Sequence, residues 1–187
     1  MKHFKSLLIA GMLISAAAFT SCSDDDDPVV DGNSSATLTA GRAGIIFNTN
    51  TNWESNNVFN VRNTGTTMAT SDVTGATREI TLVATEIAGS LSRIATVYIS
   101  LPATSSTASG NITADLSIPI GSTVVANVQL ASIDGSTPGV SYDAASGNLT
   151  ITKLTASEIE GTFSGTLDGG GANTLVVSNG SFAGKFQ

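Results

Sequence analysis

A period-two alternation of apolar and polar residues is the feature that most constrains the fold of this chain. From Ile112 to Ile120, apolar side chains occupy every even-numbered position. The same alternation runs through residues 80–84, 95–101 and 124–130. This period places successive side chains on opposite faces of a β-strand, one face buried and one exposed. After Cys22, no apolar stripe with the helical period of about 3.6 residues competes with it.

The composition of these segments predicts an antiparallel all-β domain. Thr, Val and Ile fill the alternating runs, and Gly, Asn, Ser and Asp interrupt them at short intervals. We predict about nine to eleven strands in an antiparallel β-sandwich, with a β-barrel-like arrangement as the alternative. Pro119 indicates an edge, a bulge or a strand end. Pro138-Gly139 predicts a type II turn, in which the glycine supplies the positive φ.

The last third of the chain has the most detailed strand pattern. It predicts a strand, a turn, a partner strand and a loop, at residues 148–154, 155–158, 159–167 and 168–173. Asn179-Gly180 predicts a two-residue hairpin turn between strands at 174–178 and 181–186, because both turn positions require a positive φ. Phe163 and Phe182 are expected to point inward, on the same face as Gly165 and Gly184. A glycine on that face lets a neighbouring ring lie flat on the backbone.

Residues 1–21 have the organisation of a secretory signal peptide. A short basic start is followed by an uncharged apolar stretch at residues 7–19, which is shorter than the roughly 20 residues that cross a bilayer core. Small residues then precede Cys22, the only cysteine. We predict cleavage before Cys22 and acylation of its thiol and new amino group. The alternatives are an uncleaved membrane anchor and a cut near Ala18.

An acidic segment follows, made of Ser23, Asp24, Asp25, Asp26 and Asp27. Four adjacent carboxylates cannot be buried together, so this segment must be solvated. It predicts either a signal for export to the cell surface or a plain solvated tether. Polar and small residues continue to about Ser35. The predicted organisation is a signal peptide at residues 1–21, a flexible tether at 22–36 and a single all-β domain at 37–187.

Cleavage before Cys22 leaves an acidic protein. Six of the eight Lys and Arg residues and all fifteen Asp and Glu residues follow the cut, which gives a formal charge of −9. This balance argues against a nucleic-acid partner, because nucleic acids are bound through basic patches. Without a second cysteine, the domain has no internal disulfide. Its length suffices for a core without such a staple.

Three segments of the last third carry a family resemblance. They are SGNLTITKL, IEGTFSG and VSNGSF, at residues 146–154, 159–165 and 177–182. They resemble the C-terminal signature of a widespread Bacteroidota lipoprotein family of unknown function, and residues 99–102 are similar to an earlier strand end of that family. The Cys-Ser-Asp-Asp-Asp-Asp start likewise resembles the surface-export signal of Bacteroidota lipoproteins. The resemblance implies a β-sandwich-like lipoprotein domain and carries no catalytic residues.

The chain after Cys22 contains no histidine and no second thiol. This excludes Ser-His-Asp and Cys-His catalysis and metal sites built from His or Cys. Glu158 and Glu160 share one face of a strand at a spacing open to a glycosidase pair, but Ile159 should face the core and leave both in solvent. Only Lys153 or Lys185 could serve Ser-Lys catalysis. We predict no enzymatic activity, no catalytic residue and no cofactor.

Two sets of residues are candidates for ligand binding. Oxygen ligands for Ca²⁺ lie in predicted loops, but their spacing matches no calcium-loop template, so no metal site is predicted: Asp134, Asp143, Asn148 and Asp168. Trp53, the only tryptophan, either stacks on a sugar or anchors the core. Trp53, Tyr98 and Tyr142 are the candidate ligand contacts, on the condition that they share one exposed face.

These features predict an outer-membrane protein anchored by lipid on Cys22 and facing the cell exterior. Its β-domain is expected to act as a non-enzymatic binding or adhesion module for an extracellular glycan or protein. The alternatives are a structural or accessory subunit of an outer-membrane complex, a carboxylate-dependent hydrolase, and a lipocalin-like domain with an apolar cavity. The sequence selects no particular ligand.

Overall fold

The computed structural model describes residues 34–54, 56–105, 112–116, 124–135 and 137–187. These residues form one 3₁₀ turn at Ser35–Thr37 and ten strands: β1 (Arg42–Trp53), β2 (Asn56–Arg62), β3 (Thr67–Thr74), β4 (Thr77–Ala88), β5 (Leu91–Pro102), β6 (Ile112–Asp115), β7 (Val125–Asp134), β8 (Thr137–Leu154), β9 (Glu158–Asp168) and β10 (Thr174–Lys185). The predicted all-β fold with nine to eleven antiparallel strands is confirmed. The signal peptide, Cys22, the acidic segment and Pro119 lie outside the described residues.

All ten strands belong to one antiparallel sheet with the order β2-β1-β10-β9-β8-β7-β5-β4-β3, and β6 pairs with β8. The pairing of β1 with β10 joins the first and the last strand of the described chain. The sheet is strongly curled into a half-barrel, so that β1 and β2 at one edge lie close to β3 and β4 at the other. The strands therefore form one curved layer, which is nearer to the predicted barrel-like alternative than to two separate sheets.

The core fills the concave side of the sheet, as the period-two alternation predicts. Every second residue from Ile80 to Ala84 and from Ala95 to Ile99 is completely buried. The largest buried side chains are aromatic: the rings of Phe47 and Phe59 stack with 5.0 Å between their centroids. Burial of such side chains stabilises the fold by roughly 1.5–3 kcal/mol each.

The predicted hairpin at Asn179-Gly180 is wrong, because β10 continues through this dipeptide. The chain does not turn there, because residues on both sides of this dipeptide pair with β9 and with β1. Asn179 has a φ of 52° and forms a β-bulge, which adds one residue to β10 relative to both neighbours. The bulge moves the buried positions from odd to even numbers, so that Val177 and Phe182 both point inward.

The predicted turn at Pro138-Gly139 is also wrong. Both residues lie at the start of β8, where Pro138 pairs with Ile133 of β7. The connection between β7 and β8 lies just before them, where Gly135 has a φ of 59°. The left-handed position needed for this connection is therefore supplied by Gly135, and Gly139 is extended.

The inward-facing phenylalanines are confirmed, and each lies against a glycine of the neighbouring strand. Phe163 on β9 pairs with Gly180 on β10, and Phe182 on β10 pairs with Gly161 on β9. A Cβ atom on Gly180 would lie 2.8 Å from Cδ1 of Phe163, and one on Gly161 would lie 2.7 Å from Cε1 of Phe182. The close ring contacts are thus made by Gly161 and Gly180, each of which meets the ring of the neighbouring strand. Gly184 packs beside Leu82 instead.

Three arginine side chains bridge parts of the curled sheet that strand pairing does not join. We call the gap between the edge strands β2 and β3 the seam. Arg93 on β5 donates to the carbonyl oxygens of Trp53, Asn56 and Val58, at the turn from β1 to β2 and on the edge strand. Arg42 on β1 donates to Gly65 O and Thr67 O, at the start of β3. Arg78 on β4 donates to Thr155 O, in the turn from β8 to β9. Arg93 and Arg42 thus satisfy carbonyl groups where no strand pairs across the seam.

Candidate functional site

The predicted ligand contacts do not share one exposed face. Trp53 is only 2% exposed and belongs to the core. Tyr142 is partly buried and also packs against the core. Tyr98 lies half-buried between the core residues Val97 and Ile99, which point to the opposite face. Burial and the neighbouring Glu79 carboxylate raise the pKa of Tyr98. Trp53 is therefore corrected from a ligand contact to a core anchor.

The position of Trp53 has a clear physical cause. Its ring packs against Phe47 and Phe59, and the guanidinium of Arg93 lies 5.3 Å from its centroid. The Arg93 charge is paired with the Glu86 carboxylate. The aromatic surface that could have stacked on a sugar is packed in the core instead.

The residues that were weighed as possible Ca²⁺ ligands have hydrogen-bonding roles in turns and strands. The Asp134 carboxylate accepts a hydrogen bond of 2.5 Å from Ser90 Oγ, and the Asp168 carboxylate accepts one of 2.8 Å from the backbone N–H of Gly170. Asp143 accepts from the Gln129 amide at 2.6 Å. Within the described ranges, no three His, Cys, Asp or Glu residues come together in a metal-binding group.

The most highly connected polar cluster lies where the N-terminal segment meets the sheet. We call residues 34–37 the strap. Ser35 is fully buried; its hydroxyl lies 2.7 Å from Glu158 Oε2 and 2.5 Å from Glu160 Oε1. Its backbone N–H also donates to Glu160 Oε1 at 3.0 Å. Ser34 and Ser35 belong to the predicted tether, and in the structure they are fastened to β9.

Lys153 on β8 completes this cluster. Its Nζ lies 2.9 Å from Glu158 Oε1 and 3.3 Å from Glu160 Oε1. The hydrogen bond from Lys153, followed by that from Ser35, lowers the pKa of Glu158. Burial pushes the pKa of Glu160 upward, but the hydrogen bonds from Ser35 and Lys153 outweigh it and leave that pKa lowered.

The same contacts favour the charged form of the lysine. The hydrogen bond to Glu158 is the main cause of the raised pKa of Lys153. A general acid needs a raised carboxyl pKa, and a lysine base needs a lowered pKa. The cluster has the opposite shifts, which suit an ion-paired attachment of the strap. Ile159 faces the core as predicted, while the glutamates are partly covered instead of fully solvated.

A shallow groove of about 490 Å³ lies at the seam of the half-barrel. It is lined by the end of β2, the connection to β3 and the end of β4: Asn60, Val61, Arg62, Thr64, Thr66, Thr85, Glu86 and Ile87. The exposed surface of this lining is more apolar than polar, and it also presents amide, hydroxyl, guanidinium and carboxylate groups. In the described part of the chain, Arg62 is the only arginine that makes no side-chain hydrogen bond or ion pair.

Sequence reasoning missed both the strap and the groove. Ser35 and Glu160 are 125 positions apart, and no local pattern relates them. The groove exists because β2 and β4 approach each other across the seam.

Comparison of the chain with protein-family models, curated proteins and solved structures found no match. Among the described residues, no helix is long and apolar enough to span a membrane.

Proposed function

We propose that this chain is a lipid-anchored outer-membrane protein that presents a non-enzymatic binding domain at the cell surface. The observation that carries the proposal is the order of segments: an apolar leader, Cys22, four aspartates and then a β-domain. The strap adds support, because it fastens the last residues of the predicted tether to the sheet. A domain attached in this way can be held near a membrane without a spanning segment.

The ionisation of the Glu158–Glu160 cluster supports a non-enzymatic role. The carboxylate pair that was the best candidate for hydrolysis is ion-paired with Lys153 and hydrogen-bonded to Ser35. Retaining and inverting glycosidases both need one carboxyl group with a raised pKa. Both glutamates have lowered pKa values instead.

The groove is the candidate place for the ligand. Its volume lies within the range of small-ligand sites, roughly 300–1,000 Å³. Its partly apolar lining with hydroxyl, amide and guanidinium groups suits a ligand that has both apolar and polar surface, such as a glycan or an extended peptide. Because Arg62 is not needed to close the sheet, its charge is available for recognition.

Labelling and surface proteolysis test the anchoring and the location. Cells that produce the wild-type chain and the Cys22→Ala variant are labelled with a radioactive fatty acid. We expect label only on the wild type. Intact cells are then treated with protease, with wild type compared with a variant in which Asp24, Asp25, Asp26 and Asp27 are changed to alanine. Cleavage of the wild type and protection of the variant is the expected result.

Two results would contradict the proposal. Label on the Cys22→Ala variant would show that the fatty acid is attached to another residue and that Cys22 is not the anchor. Protection of the wild type in intact cells, with cleavage after the outer membrane is opened, would place the domain inside the envelope and reject the surface location.

A role as an accessory subunit of a membrane complex is the second candidate. Four of the exposed large apolar side chains lie on the strands next to the seam: Val58, Met68, Val73 and Ile87. Exposed apolar groups on edge strands favour contact with another protein. A photo-crosslinker placed at Val73 should capture one envelope protein in this case, while one at exposed Thr162 on β9 should not. Equal labelling at both positions would reject a specific subunit contact.

A further inference from the structure

The strands that border the groove have few free backbone groups beside it. On β2, the carbonyl oxygens of Asn56 and Val58 accept from Arg93, and the N–H of Val58 donates to the Asn56 side chain at 3.1 Å. On β4, the N–H of Thr85 donates to a carbonyl of the turn before β3 at 3.1 Å. A peptide that adds a strand to a sheet binds chiefly through such main-chain groups. Only a short free edge, residues 60–62 of β2, lines the groove for that purpose.

The two charged residues of the lining have opposite signs and unused hydrogen-bonding groups. Both Arg93 nitrogens that reach Glu86 donate to the same oxygen, Oε2, so Oε1 accepts no hydrogen bond from the described residues. The Glu86 side chain is 33% exposed. The guanidinium of Arg62 has five N–H donors, and none of them bonds to a described residue. The groove therefore offers a charged acceptor from β4 and a charged donor from β2.

The rest of the lining adds neutral polar groups and an apolar side chain. Asn60 is exposed, and its amide can both donate and accept. The hydroxyls of Thr64 and Thr66 lie 2.8 Å apart, while that of Thr85 bonds to no described residue. Ile87 is 57% exposed. A sugar ring has the complementary surface, because its hydroxyl groups donate and accept around the rim and its C–H groups form an apolar face.

The charge of the domain disfavours an acidic ligand. Residues 34–187 contain six Lys and Arg residues and ten Asp and Glu residues, which gives a formal charge of −4. Within the groove, the charges of Arg62 and Glu86 balance each other. An anionic ligand is repelled by such a surface over about one Debye length, ~8 Å at physiological salt, whereas a neutral ligand is not.

We propose that the groove binds a neutral glycan. Arg62 donates to a hydroxyl oxygen of the glycan, Glu86 Oε1 accepts from a second hydroxyl, and Ile87 packs against the apolar face of a sugar ring. Hydrogen bonds to charged groups are stronger than those between neutral groups, so these two residues are the principal polar contacts. The inference rests on the proposed function, because it names the ligand class of the proposed binding domain.

Arg93 connects the groove with a spectroscopic reporter. Its guanidinium pairs with Glu86 and also lies 5.3 Å from the ring centroid of Trp53, the only tryptophan. A ligand hydrogen bond to Glu86 changes the electric field at this ion pair and therefore at the indole. Occupancy of the groove should thus shift the fluorescence emission of Trp53.

Titration of the full chain with defined probes tests the ligand class. The chain is purified in a detergent that has no sugar headgroup. The probes are neutral hexasaccharides of glucose, mannose, galactose and N-acetylglucosamine, oligogalacturonate as an acidic saccharide, and a pool of decapeptides. Calorimetry measures binding and Trp53 emission reports the groove. We expect at least one neutral hexasaccharide to bind and to shift the emission, and the acidic saccharide and the peptides to bind at least about tenfold more weakly.

Two pairs of variants locate the site. Arg62→Gln and Lys185→Gln each remove a positive charge that enters no ion pair with a described residue, but only Arg62 lines the groove. Thr85→Val and Thr162→Val each replace a hydroxyl by a methyl group, and only Thr85 lines the groove. We expect Arg62→Gln to weaken binding by about tenfold or more and Thr85→Val by about fivefold. The two control variants should bind like wild type. Equal losses in all four variants, or none in any, overturn the site.

The outcomes separate this inference from the proposed function. Binding of peptides or of oligogalacturonate alone, lost in Arg62→Gln, rejects the neutral glycan but keeps the binding domain. If wild type binds no probe, the glycan inference is rejected, while fatty-acid labelling at Cys22 and surface proteolysis still decide the anchor and the location. Binding of a neutral glycan by a chain that is protected in intact cells rejects only the surface location.

Discussion

At the scale of single residues, two glycines matter because of what lies against them. Gly161 and Gly180 are each covered by the phenylalanine of the neighbouring strand. A missing Cβ leaves the face of the backbone open, and the ring fills that space. The arrangement is reciprocal, since β9 and β10 each supply one phenylalanine ring and one glycine. This arrangement joins the two strands in the middle of the core.

Adding a methyl group at either glycine should therefore be destabilising. We expect Gly161→Ala and Gly180→Ala each to lower the free energy of unfolding by about 1–3 kcal/mol, because the new Cβ overlaps both a ring and a backbone carbonyl oxygen in a packed core. Denaturant unfolding followed by circular dichroism measures the change.

Gly65 provides the control for this prediction. A Cβ there meets no atom within 4 Å, and its φ lies outside the left-handed region. Gly65→Ala should change stability by less than about 0.5 kcal/mol. An equal loss for all three variants would show that the rings do not cause the effect.

At the scale of elements, the bulge in β10 determines which side chains of that strand reach the core. Leu175 and Val177 are buried before the bulge, and Phe182 is buried after it. With an unbroken period of two, Phe182 would lie on the outer face. Asn179 adds the residue that restores its inward direction.

The left-handed backbone at Asn179 gives a prediction for this element. Asparagine and glycine tolerate a positive φ, whereas a β-branched residue does so at a cost of roughly 1–2 kcal/mol. Asn179→Val should therefore lower stability by about that amount, and Asn179→Gly should be close to neutral. Thermal unfolding of the two variants measures this, and a Val variant as stable as the Gly variant would contradict the bulge.

The strap is the second element whose contacts give a prediction, and its attachment should depend on pH. The pKa values of Glu158 and Glu160 are lowered in the folded state. Both carboxylates therefore stabilise the docked strap fully at pH values above the ordinary carboxyl pKa of about 4.3. This contribution is lost as the pH falls through the lowered values. The raised pKa of Lys153 means that its contribution is lost only in strong alkali, above its ordinary value of about 10.4.

Hydrogen exchange at Ser35 and Ala36 measures strap attachment. After correction for the intrinsic pH dependence of exchange, protection should be constant near neutral pH and decrease in acid below pH ~4. Glu160→Gln should reduce the protection already at neutral pH, because it removes the acceptor charge for the N–H of Ser35. Protection that does not change with acid or with this substitution would show that the carboxylates do not hold the strap.

At the scale of the whole molecule, side chains complete a sheet that the strands leave open. The two edge strands, β2 and β3, are not hydrogen-bonded to each other. Arg93 joins one part of the seam through three backbone carbonyls and the Glu86 carboxylate. Arg78 joins β4 to the turn between β8 and β9, where the Phe186 ring lies 5.3 Å away. Burial lowers the pKa of Arg78.

Loss of the charge that balances Arg93 should weaken the closure of the seam. The Arg93 side chain is 4% exposed and that of Glu86 is 33% exposed. Breaking a fully buried pair costs roughly 3–5 kcal/mol, and the partial exposure of Glu86 reduces this, so we expect about 2 kcal/mol for Glu86→Gln. Arg62→Gln, which removes an unpaired arginine from the same seam, should change stability by less than about 0.5 kcal/mol. Urea unfolding of both variants tests the difference.

The sequence by itself determined the strand content and most of the inward-facing positions. The turn after Leu154 and the loop after Asp168 follow the predicted places closely. These features are local: the alternation of side chains along a strand depends only on neighbouring residues.

The tertiary structure alone decided the points that depend on distant partners. Asn179-Gly180 is compatible with a hairpin turn and with a bulge, because both need a left-handed residue, and pairing with β1 and β9 selected the bulge. Trp53 is buried because it packs against Phe47 and Phe59 and because Arg93, forty positions away, lies over its ring. Ser35 is fixed by glutamates more than a hundred positions away. These outcomes depend on which strands the curled sheet brings together, and that information is not contained in any local stretch of the chain.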